Sequence, residues 1–496
     1  MITNKTLEEM KQLLKLEQFA RFPVSIELLA DGTTPIEVMR ILKNVSSHCY
    51  MLESVEDTRQ WGRYTFLGYD PILELTCQNH ELTITSGMKI TQRVEHPGKY
   101  IRQIIEENRS PRVEGLPTFT GGLVGYFSYD YIKYSEPTLK LDASDEENFK
   151  DVDLMLFDKV IAFDHYRQKM ILIVNIKTEH LEINYNRAVK ELHDMARLVT
   201  TGKKIENKPL HLKSEFKPLF TEEEYCQMVQ KGKEHIKEGD IFQVVLSNRL
   251  EAEMEGSLLD TYRILRMTNP SPYMFYFSSE DVEIAGASPE TLVKLEKNKV
   301  FTYPLAGTKP RGKDKEEDLH LEQELLADDK ELAEHNMLVD LGRNDIGRIS
   351  SIGSVKVEKY MEVLKFSHVM HIGSTVSGQI AKNKDAIDAI DAILPAGTLS
   401  GAPKLRACEI INELENCKRG IYGGAIGYID FTGNMDTCIA IRLAFSKNGK
   451  VFVRSGAGIV ADSVPENEAR ECINKAKAVI NALKEAEGGI EDDFTD

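Results

Sequence analysis

The chain has 496 residues, of which 42 per cent are hydrophobic and 28 per cent charged, so it is long enough for about two or three domains around a large core. The formal charge of −17 argues against a protein that binds nucleic acid through a net basic surface. A charged N-terminus, the lack of any long apolar run and 7 scattered cysteines without a CxxC pair favour a cytoplasmic protein outside the membrane.

The first 200 residues mix helix starts with short β runs. Thr34, Pro35 and Glu37 predict a helix that begins with a capping box and a proline in its first turn. Residues 63–77 (RYTFLGYDPILELTC) and 169–176 (KMILIVNI) are rich in β-branched and aromatic residues and predict strands. These elements do not alternate regularly, so a parallel βαβ fold is not indicated.

The stretch from 200 to 220 is polar, basic and interrupted by prolines, which is typical of a linker. Thr221 and Glu224 form the next capping-box pattern, where a helix should begin. We therefore predict an N-terminal domain over 1–205, a linker over 206–220 and a C-terminal domain over 221–496.

The C-terminal part contains a hairpin pattern over 438–460, with Asn448 and Gly449 at its turn. Strict alternation would place Arg442 on a strand face that it shares with Cys438 and two alanines. The fold class predicted for the whole chain is α+β, with large antiparallel sheets and peripheral helices.

Two predicted helices carry glutamates. Glu334 lies beside a nearly all-round apolar stretch, so it should be partly buried, and an ion pair with Arg343 or Arg348 is the simple explanation. The last helix, predicted to begin with a capping box from Ser463 to Glu466, has Glu468 beside its apolar stripe.

Helical periodicity places Glu471 further round that last helix, where it is predicted to form a surface i,i+4 pair with Lys475. Glutamates from two separate helices are nevertheless the hard oxygen ligands that suit Mg²⁺. Residues 366–378 (FSHVMHIGSTVSG) form a strand pattern on which His368 and His371 point to opposite faces, so at most one can face a given cleft.

Two glycine-rich stretches lack the context of nucleotide-binding motifs. Residues 397–405 (GTLSGAPKL) lack the Gly-Lys-Ser/Thr ending of a phosphate loop, and 456–461 (GAGIVA) is not followed at once by a helix. Each reads either as a plain turn or as a source of backbone N–H groups for a carboxylate.

Read together and in this order, several stretches resemble the chorismate-utilising enzymes over nearly the whole chain: LESVEDTRQWGRYTFLG, GASPE, PLAGTKPRG, AEHNMLVDLGRND, SHVMHIGSTV, PAGTLSGAPKLRACEII, YGGAIGY, DTCIAIR and SGAGIVADSVPENEARE. The resemblance implies that chorismate is aminated and loses pyruvate to give anthranilate. It also implies Mg²⁺ bound by Glu334 and Glu471, with Glu468 as a nearby helper.

The same resemblance assigns roles to other residues. Glu290, His371 and Thr398 would be catalytic, with Glu290 as the acid on the leaving hydroxyl and His371 handling the proton in the elimination. The residues expected to bind chorismate are Gly307, Thr308, Tyr422, Arg442, Gly456, Ala457 and Gly458. A tryptophan effector site is implied at Glu53, Ser54, Pro272, Tyr273, Met274 and Cys438.

Two positions distinguish related activities. Gln243 stands where isochorismate and salicylate synthases have a water-activating lysine, and Ala306 where most aminodeoxychorismate synthases have a lysine nucleophile. Both favour direct attack by ammonia, and without a GxCxG cysteine the ammonia should come from a separate glutaminase subunit. The alternatives are an aminodeoxychorismate synthase and a non-catalytic regulator that binds chorismate or tryptophan.

Overall fold

The structure is a computed structural model that describes residues 3–54, 61–205, 208–365 and 369–490. Its α-helices in the described residues are α1 (Leu7–Leu16), α2 (Pro35–Val45), α3 (Gly98–Glu107), α4 (Ile132–Ser135), α5 (Leu181–Thr201), α6 (Glu222–Glu238), α7 (Leu259–Thr268), α8 (Lys315–Leu326), α9 (Asp329–Gly347), α10 (Ala386–Ile393), α11 (Lys404–Glu415) and α12 (Pro465–Glu485).

The strands are β1 (Arg21–Leu29), β2 (Cys49–Glu53), β3 (Tyr64–Tyr69), β4 (Leu73–Gln78), β5 (Glu81–Ser86), β6 (Met88–Arg93), β7 (Gly122–Phe127), β8 (Val152–Phe157), β9 (Lys159–Asp164), β10 (Lys169–Lys177), β11 (His211–Leu212), β12 (Lys217–Pro218), β13 (Gln243–Glu255), β14 (Tyr273–Ser278), β15 (Glu283–Ser288), β16 (Thr291–Glu296), β17 (Lys299–Thr302), β18 (Leu305–Pro310), β19 (Lys356–Lys365), β20 (Val369–Gln379), β21 (Gly401–Ala402), β22 (Ala425–Asp430), β23 (Met435–Ile439), β24 (Leu443–Lys447) and β25 (Lys450–Ile459).

These strands form two antiparallel sheets. The first has the order β1-β10-β9-β3-β2-β14-β15-β24-β25-β13-β11, with β12 and β21 also paired to β13. The second has the order β18-β20-β17-β16-β23-β22-β7-β8-β4-β5-β6, with β19 also paired to β20. The prediction of large antiparallel sheets with peripheral helices is confirmed.

The sheets pack face to face, and helices cover their outer faces. An aromatic-rich core that includes Tyr50, Tyr126 and Phe275 takes side chains from both sheets. A second core joins the first sheet to α2, α5, α7 and α12, and a third joins the second sheet to α3, α9 and α10. The result is a four-layer arrangement of helices, sheet, sheet and helices.

Neighbouring strands change sheets at two adjacent points. β15 lies in the first sheet and β16 in the second, with Glu290 in the connection, while β23 and β24 cross back with Arg442 in theirs. The amide of Ile439 donates to the carbonyl of Glu290 (2.9 Å), and the amide of Ala287 donates to the carbonyl of Arg442 (3.0 Å). The two crossings are therefore hydrogen-bonded to each other.

The sheet change corrects the predicted strand around Arg442. The hairpin turn at Asn448 and Gly449 is confirmed, since both residues have positive φ and β24 pairs with β25. The strand before it is not continuous, because β23 ends at Ile439 and Arg442 has φ 54°. The predicted alternation of faces is wrong here because the backbone passes from one sheet to the other.

The helix starts follow the capping patterns to different degrees. Thr221 and Glu224 form the full reciprocal box. Thr34 caps α2 by accepting from the amide of Glu37. The box predicted from Ser463 to Glu466 is wrong: α12 begins at Pro465 without a side-chain cap, because the Ser463 hydroxyl accepts from the amide of Val460 (3.1 Å) and closes the preceding turn.

The predicted linker is partly described, because residues 206–207 lie outside the described part. β11 and β12 of this stretch pair with β13. Both large sheets take strands from each side of it, and the division into two domains stays a prediction. Within the described residues, no helix is both long and apolar enough to cross a membrane.

Gly125→Ala should test the tight spacing of the second sheet. Gly125 on β7 has φ 154°, and a Cβ there would lie 2.0 Å from the carbonyl oxygen of Asp153 on β8. We expect the substitution to lower the free energy of unfolding by about 1–3 kcal/mol, measured by urea denaturation. Gly32→Ala is the control, since nothing lies within 4 Å of its Cβ position. An equal loss in both variants would contradict the close contact.

Candidate active site and effector pocket

Glu290 is a partly buried carboxylic acid at the first sheet crossing. The hydroxyl of Thr398, in the turn Gly397–Leu399, donates to its Oε1 (3.2 Å). Burial raises the pKa of Glu290 to about 7, although the Thr398 hydrogen bond and the charge of Lys475 both lower it. A carboxyl group with such a pKa can be protonated near neutral pH and act as a general acid.

His371 lies on β20 against a bulge of β18. The register of β18 and β20 shifts between Ala306 and Lys309, so Gly307 and Thr308 leave the regular ladder. The Nδ1 of His371 lies 2.8 Å from the carbonyl oxygen of Gly307 and 3.1 Å from the Thr308 hydroxyl. Because a carbonyl only accepts, Nδ1 carries the proton and Nε2 holds the basic lone pair.

Burial lowers the pKa of the His371 imidazole, and the nearby positive charge of Arg442 lowers it further, while its hydrogen bond to Gly307 raises it. The imidazole is therefore neutral at neutral pH and can accept a proton through Nε2. His368, the other histidine of this stretch, lies outside the described residues.

A polar cavity of about 460 Å³ opens between the second crossing and α12. The guanidinium of Arg442 donates to the carbonyl oxygen of Lys475 (3.3 Å), so the arginine reaches the helix across the cavity wall. Three cations and one carboxylate line it, so the cavity has a local excess of positive charge in a chain whose net charge is −17. It is lined by Arg442, Asn467, Arg470, Glu471, Asn474 and Lys475.

The predicted metal ligands lie on two different helices, α9 and α12. Glu334 on α9 is half-buried, and its pKa is raised by burial and by the negative charges of Glu331 and Glu471. Arg343 and Arg348 pair with Asp340 (3.0 Å) and Glu136 (2.9 Å), so the simple ion pair expected for Glu334 is not formed.

On α12, Glu471 is half exposed and pairs with the ammonium of Lys475 (2.7 Å). The pKa of Glu468 is raised by burial and by Glu471. Carboxylates that repel one another in this way suit a divalent cation. As the side chains stand, they do not converge on one point: within the described residues, three potential ligand atoms meet only at His235, Glu238 and Asp240.

The glycines of β25 bring the backbone close to the candidate site. A Cβ at Gly456 would lie 3.1 Å from the hydroxyl oxygen of Tyr422, and one at Gly458 would lie 2.6 Å from the Nε2 of Gln243. Ala457 between them is buried, and the carbonyl of Gly456 accepts from the Lys475 ammonium (3.2 Å). This strand therefore connects the tyrosine to the cavity at α12.

A separate pocket of about 330 Å³ lies between the two sheets. Its walls include side chains of β2 and β14 from the first sheet and of β16, β22 and β23 from the second. All six residues predicted for the effector site line it: Glu53, Ser54, Pro272, Tyr273, Met274 and Cys438. An aromatic ring, a thioether and a buried thiol make its walls suitable for an aromatic ligand.

Glu53 is buried in this pocket and already has partners. Its carboxylate accepts from the Tyr262 hydroxyl (2.5 Å), from the Arg266 guanidinium (2.6 Å) and from the Thr65 hydroxyl (3.2 Å). A ligand ammonium would therefore share this carboxylate with Arg266.

The predicted effector pocket is linked to the two crossings by strand pairing. Tyr273 pairs with Ser288 at the end of β15, and Cys438 pairs with Thr291 at the start of β16. The buried hydroxyl of Ser288 donates to the carbonyl of Ile439 (2.7 Å). The residues that line the pocket thus flank the connection that carries Glu290.

Sequence reasoning missed the position of Lys475. Its i,i+4 spacing from Glu471 correctly predicted their contact, but the pair lies on the wall of the polar cavity. The three predicted catalytic residues form two separate contacts. Glu290 bonds to Thr398, and His371 bonds to the Gly307 bulge. The positive charge of Lys475 lowers the pKa of Glu290, and that of Arg442 lowers the pKa of His371.

Comparison with known proteins identifies the family of the chain. Residues 47–481 match the family described as chorismate binding enzyme, so the chain belongs to that family. It is 45% identical over 97% of its length to anthranilate synthase component 1 of Acetivibrio thermocellus, of which it covers 98%.

Two solved structures are similar in fold. Anthranilate synthase component I from Streptococcus pneumoniae superposes with a TM-score of 0.72 at 41% identity, over 86% of this chain and 93% of that one. The menaquinone-specific isochorismate synthase from Escherichia coli has a TM-score of 0.69 at 18% identity, over 96% and 98%, and this likeness shows the fold alone. The resemblance stated from the sequence is thus confirmed.

Thr398→Val should change how the rate depends on pH. Loss of the hydroxyl removes a hydrogen bond that lowers the pKa of Glu290, so that pKa should rise by up to about one unit. If Glu290 acts as an acid, it is active below its pKa, and the falling limb of kcat should move to higher pH. Thr302→Val, which loses a hydroxyl bonded to Leu292, is the control. A limb that stays in place would exclude this contact from catalysis.

Proposed function

We propose that this chain is the large subunit of an anthranilate synthase, which converts chorismate and ammonia to anthranilate and pyruvate at the first committed step of tryptophan biosynthesis. Full-length likeness to proteins of that name supports the activity. The observation that carries the chemistry is the placement of an acid, Glu290, and a base, His371, near the cations Lys475 and Arg442.

In the first half-reaction, ammonia adds at C2 of chorismate while the C4 hydroxyl leaves as water. Glu290 donates the proton that this hydroxyl needs, and its raised pKa keeps that proton available. The Thr398 hydroxyl orients the carboxyl group. Arg442 and Lys475 bind substrate carboxylates, and Tyr422 with residues 456–458 shapes the space around the ring.

In the second half-reaction, the proton at C2 is removed, the ring becomes aromatic, and the enolpyruvyl ether bond breaks to release pyruvate after protonation. His371 accepts the C2 proton through Nε2, since Nδ1 donates to the carbonyl of Gly307. Gln243 and Ala306 supply no amine, which leaves the delivered ammonia as the nucleophile.

Glu334 and Glu471 are the residues proposed to hold Mg²⁺, with Glu468 nearby. Bound there, the ion would neutralise a substrate carboxylate and act as a template and Lewis acid. Burial and the repulsion among these carboxylates raise the pKa of Glu334 and of Glu468, and a divalent cation bound there would relieve the repulsion. Lys475 would then give up its contact with Glu471.

The proposed partner is a glutaminase subunit that releases ammonia from glutamine in the cytoplasm. The component 1 naming of the relatives supports a second component. The proposed regulator is tryptophan, bound in the 330 Å³ pocket with its indole against Met274 and Tyr273. Its amino group would share the carboxylate of Glu53.

The assay that tests the activity supplies purified chain with chorismate, Mg²⁺ and an ammonium salt. Fluorescent anthranilate and pyruvate should appear in equal amounts, and EDTA should stop both until Mg²⁺ is restored. Glutamine should give no product until a glutaminase subunit is added. A non-fluorescent aminated product would indicate an aminodeoxychorismate synthase, and no turnover would indicate a binding protein.

Ser54→Phe should relieve inhibition by tryptophan without abolishing turnover. The added ring would occupy part of the pocket, while the catalytic residues lie outside it. We expect the tryptophan concentration for half-inhibition to rise by at least about tenfold, since each 1.4 kcal/mol of lost binding is a factor of ten. Ser86→Phe on the exposed strand β5 is the control. Unchanged inhibition would place the effector elsewhere.

A further inference from the structure

Arg419 is a fully buried arginine between α11 and β22, outside every role described above. Its relative exposure is 2%. Two of its nitrogens donate to the carboxylate of Glu415 (3.0 and 2.6 Å), and the guanidinium also lies over the ring of Tyr129, at 4.5 Å from the centroid. Burying a charge is costly unless it is paired and hydrogen-bonded, so these contacts explain how it is tolerated.

Two other N–H groups of Arg419 donate to the backbone. Nη1 donates to the carbonyl of Leu399 (2.5 Å), and Nη2 donates to the carbonyl of Val245 on β13 (2.7 Å). Leu399 directly follows Thr398, whose hydroxyl donates to Glu290. One side chain therefore connects the end of α11, the strand β13 and the turn that carries Thr398.

We propose that Arg419 is a positioning residue for catalysis, which fixes the carbonyl of Leu399 and thereby sets the Thr398 hydroxyl against Glu290. This inference rests on the proposed function, because it takes Glu290 as the acid of the reaction. The planar guanidinium suits the task, since it bonds a carboxylate and two carbonyls in fixed directions. A lysine at this position is a single point charge and cannot hold the same set.

Arg454 provides the comparison that separates positioning from simple stability. It is equally buried, at 2% exposure, and its Nη2 donates to the same Glu415 carboxylate (2.7 Å). Its other bonds go to Ser247 (2.8 Å) and to the carbonyl of Lys418 (3.0 Å), and none of them is to the Thr398 turn. The two arginines share one carboxylate, so the buried group carries one surplus positive charge.

Because of this surplus positive charge, Arg419 can be replaced by a neutral residue. In Arg419→Gln, Glu415 remains paired with Arg454, so no buried carboxylate is left without a cation. Arg419→Lys keeps the charge but loses the directed bond to Leu399. Neither substitution changes Lys475, whose charge lowers the pKa of Glu290 together with the Thr398 hydrogen bond.

The experiment measures kcat, KM for chorismate and the pH profile with saturating ammonium, in Arg419→Lys, Arg419→Gln and Arg454→Lys, each with and without Thr398→Val. We expect both Arg419 variants to lose about tenfold in kcat, with KM for chorismate changed less than about threefold. The falling limb of their kcat–pH profile should move to higher pH, as in Thr398→Val. Adding Thr398→Val should then cost little more, because the same contact is already lost.

Arg454→Lys should lower the melting temperature about as much as the two Arg419 variants do. It should leave the falling limb of the kcat–pH profile in place. The inference is overturned if Arg419 and Thr398 variants act additively, if both Arg419 variants keep the wild-type profile, or if Arg454→Lys moves the limb equally. Wild-type protein that makes no anthranilate overturns the proposed function, and this inference with it. Should Arg419→Lys fail to fold, Arg419→Gln decides between these outcomes.

Discussion

The candidate active site depends on two strand crossings that are hydrogen-bonded to each other. A residue inside either sheet is covered on one face by helices and on the other by the second sheet, which leaves little room for substrate. Glu290 and Arg442 have more room around them because each lies where the chain leaves one sheet for the other. The bonds from Ile439 to Glu290 and from Ala287 to Arg442 fix the two connections relative to each other. An acid and a cation are thereby held on backbone that belongs to both sheets.

The predicted effector pocket lies beside the same connections. Tyr273 and Cys438 line it and pair with residues on either side of Glu290. A ligand between the sheets would contact the strands that enter the crossings and shift their relative position without reaching the proposed catalytic residues. The proposed inhibition by tryptophan would then act through a few residues of paired strands.

The sequence predicted the kinds of element well and their connections poorly. Local patterns found the helix start at Thr221, the turn at Asn448 and the partly buried Glu334, because each depends on a few adjacent residues. Alternation failed at Arg442, since a change of sheet leaves no mark in the spacing of apolar residues. The role of Glu290 came from family resemblance, and the surroundings of Arg419 depend on contacts between residues distant in sequence.

The way the two halves of the chain share the sheets has a consequence for biosynthesis. β2 pairs with β14, and β7 pairs with β22, so these strands are made on the order of 200 to 300 residues before their partners. At ordinary ribosome speeds this delay is roughly 10 to 60 seconds. During it, β2 and β7 are open sheet edges, which attract other chains. The N-terminal half is therefore most exposed to pairing with other chains before the C-terminal half emerges.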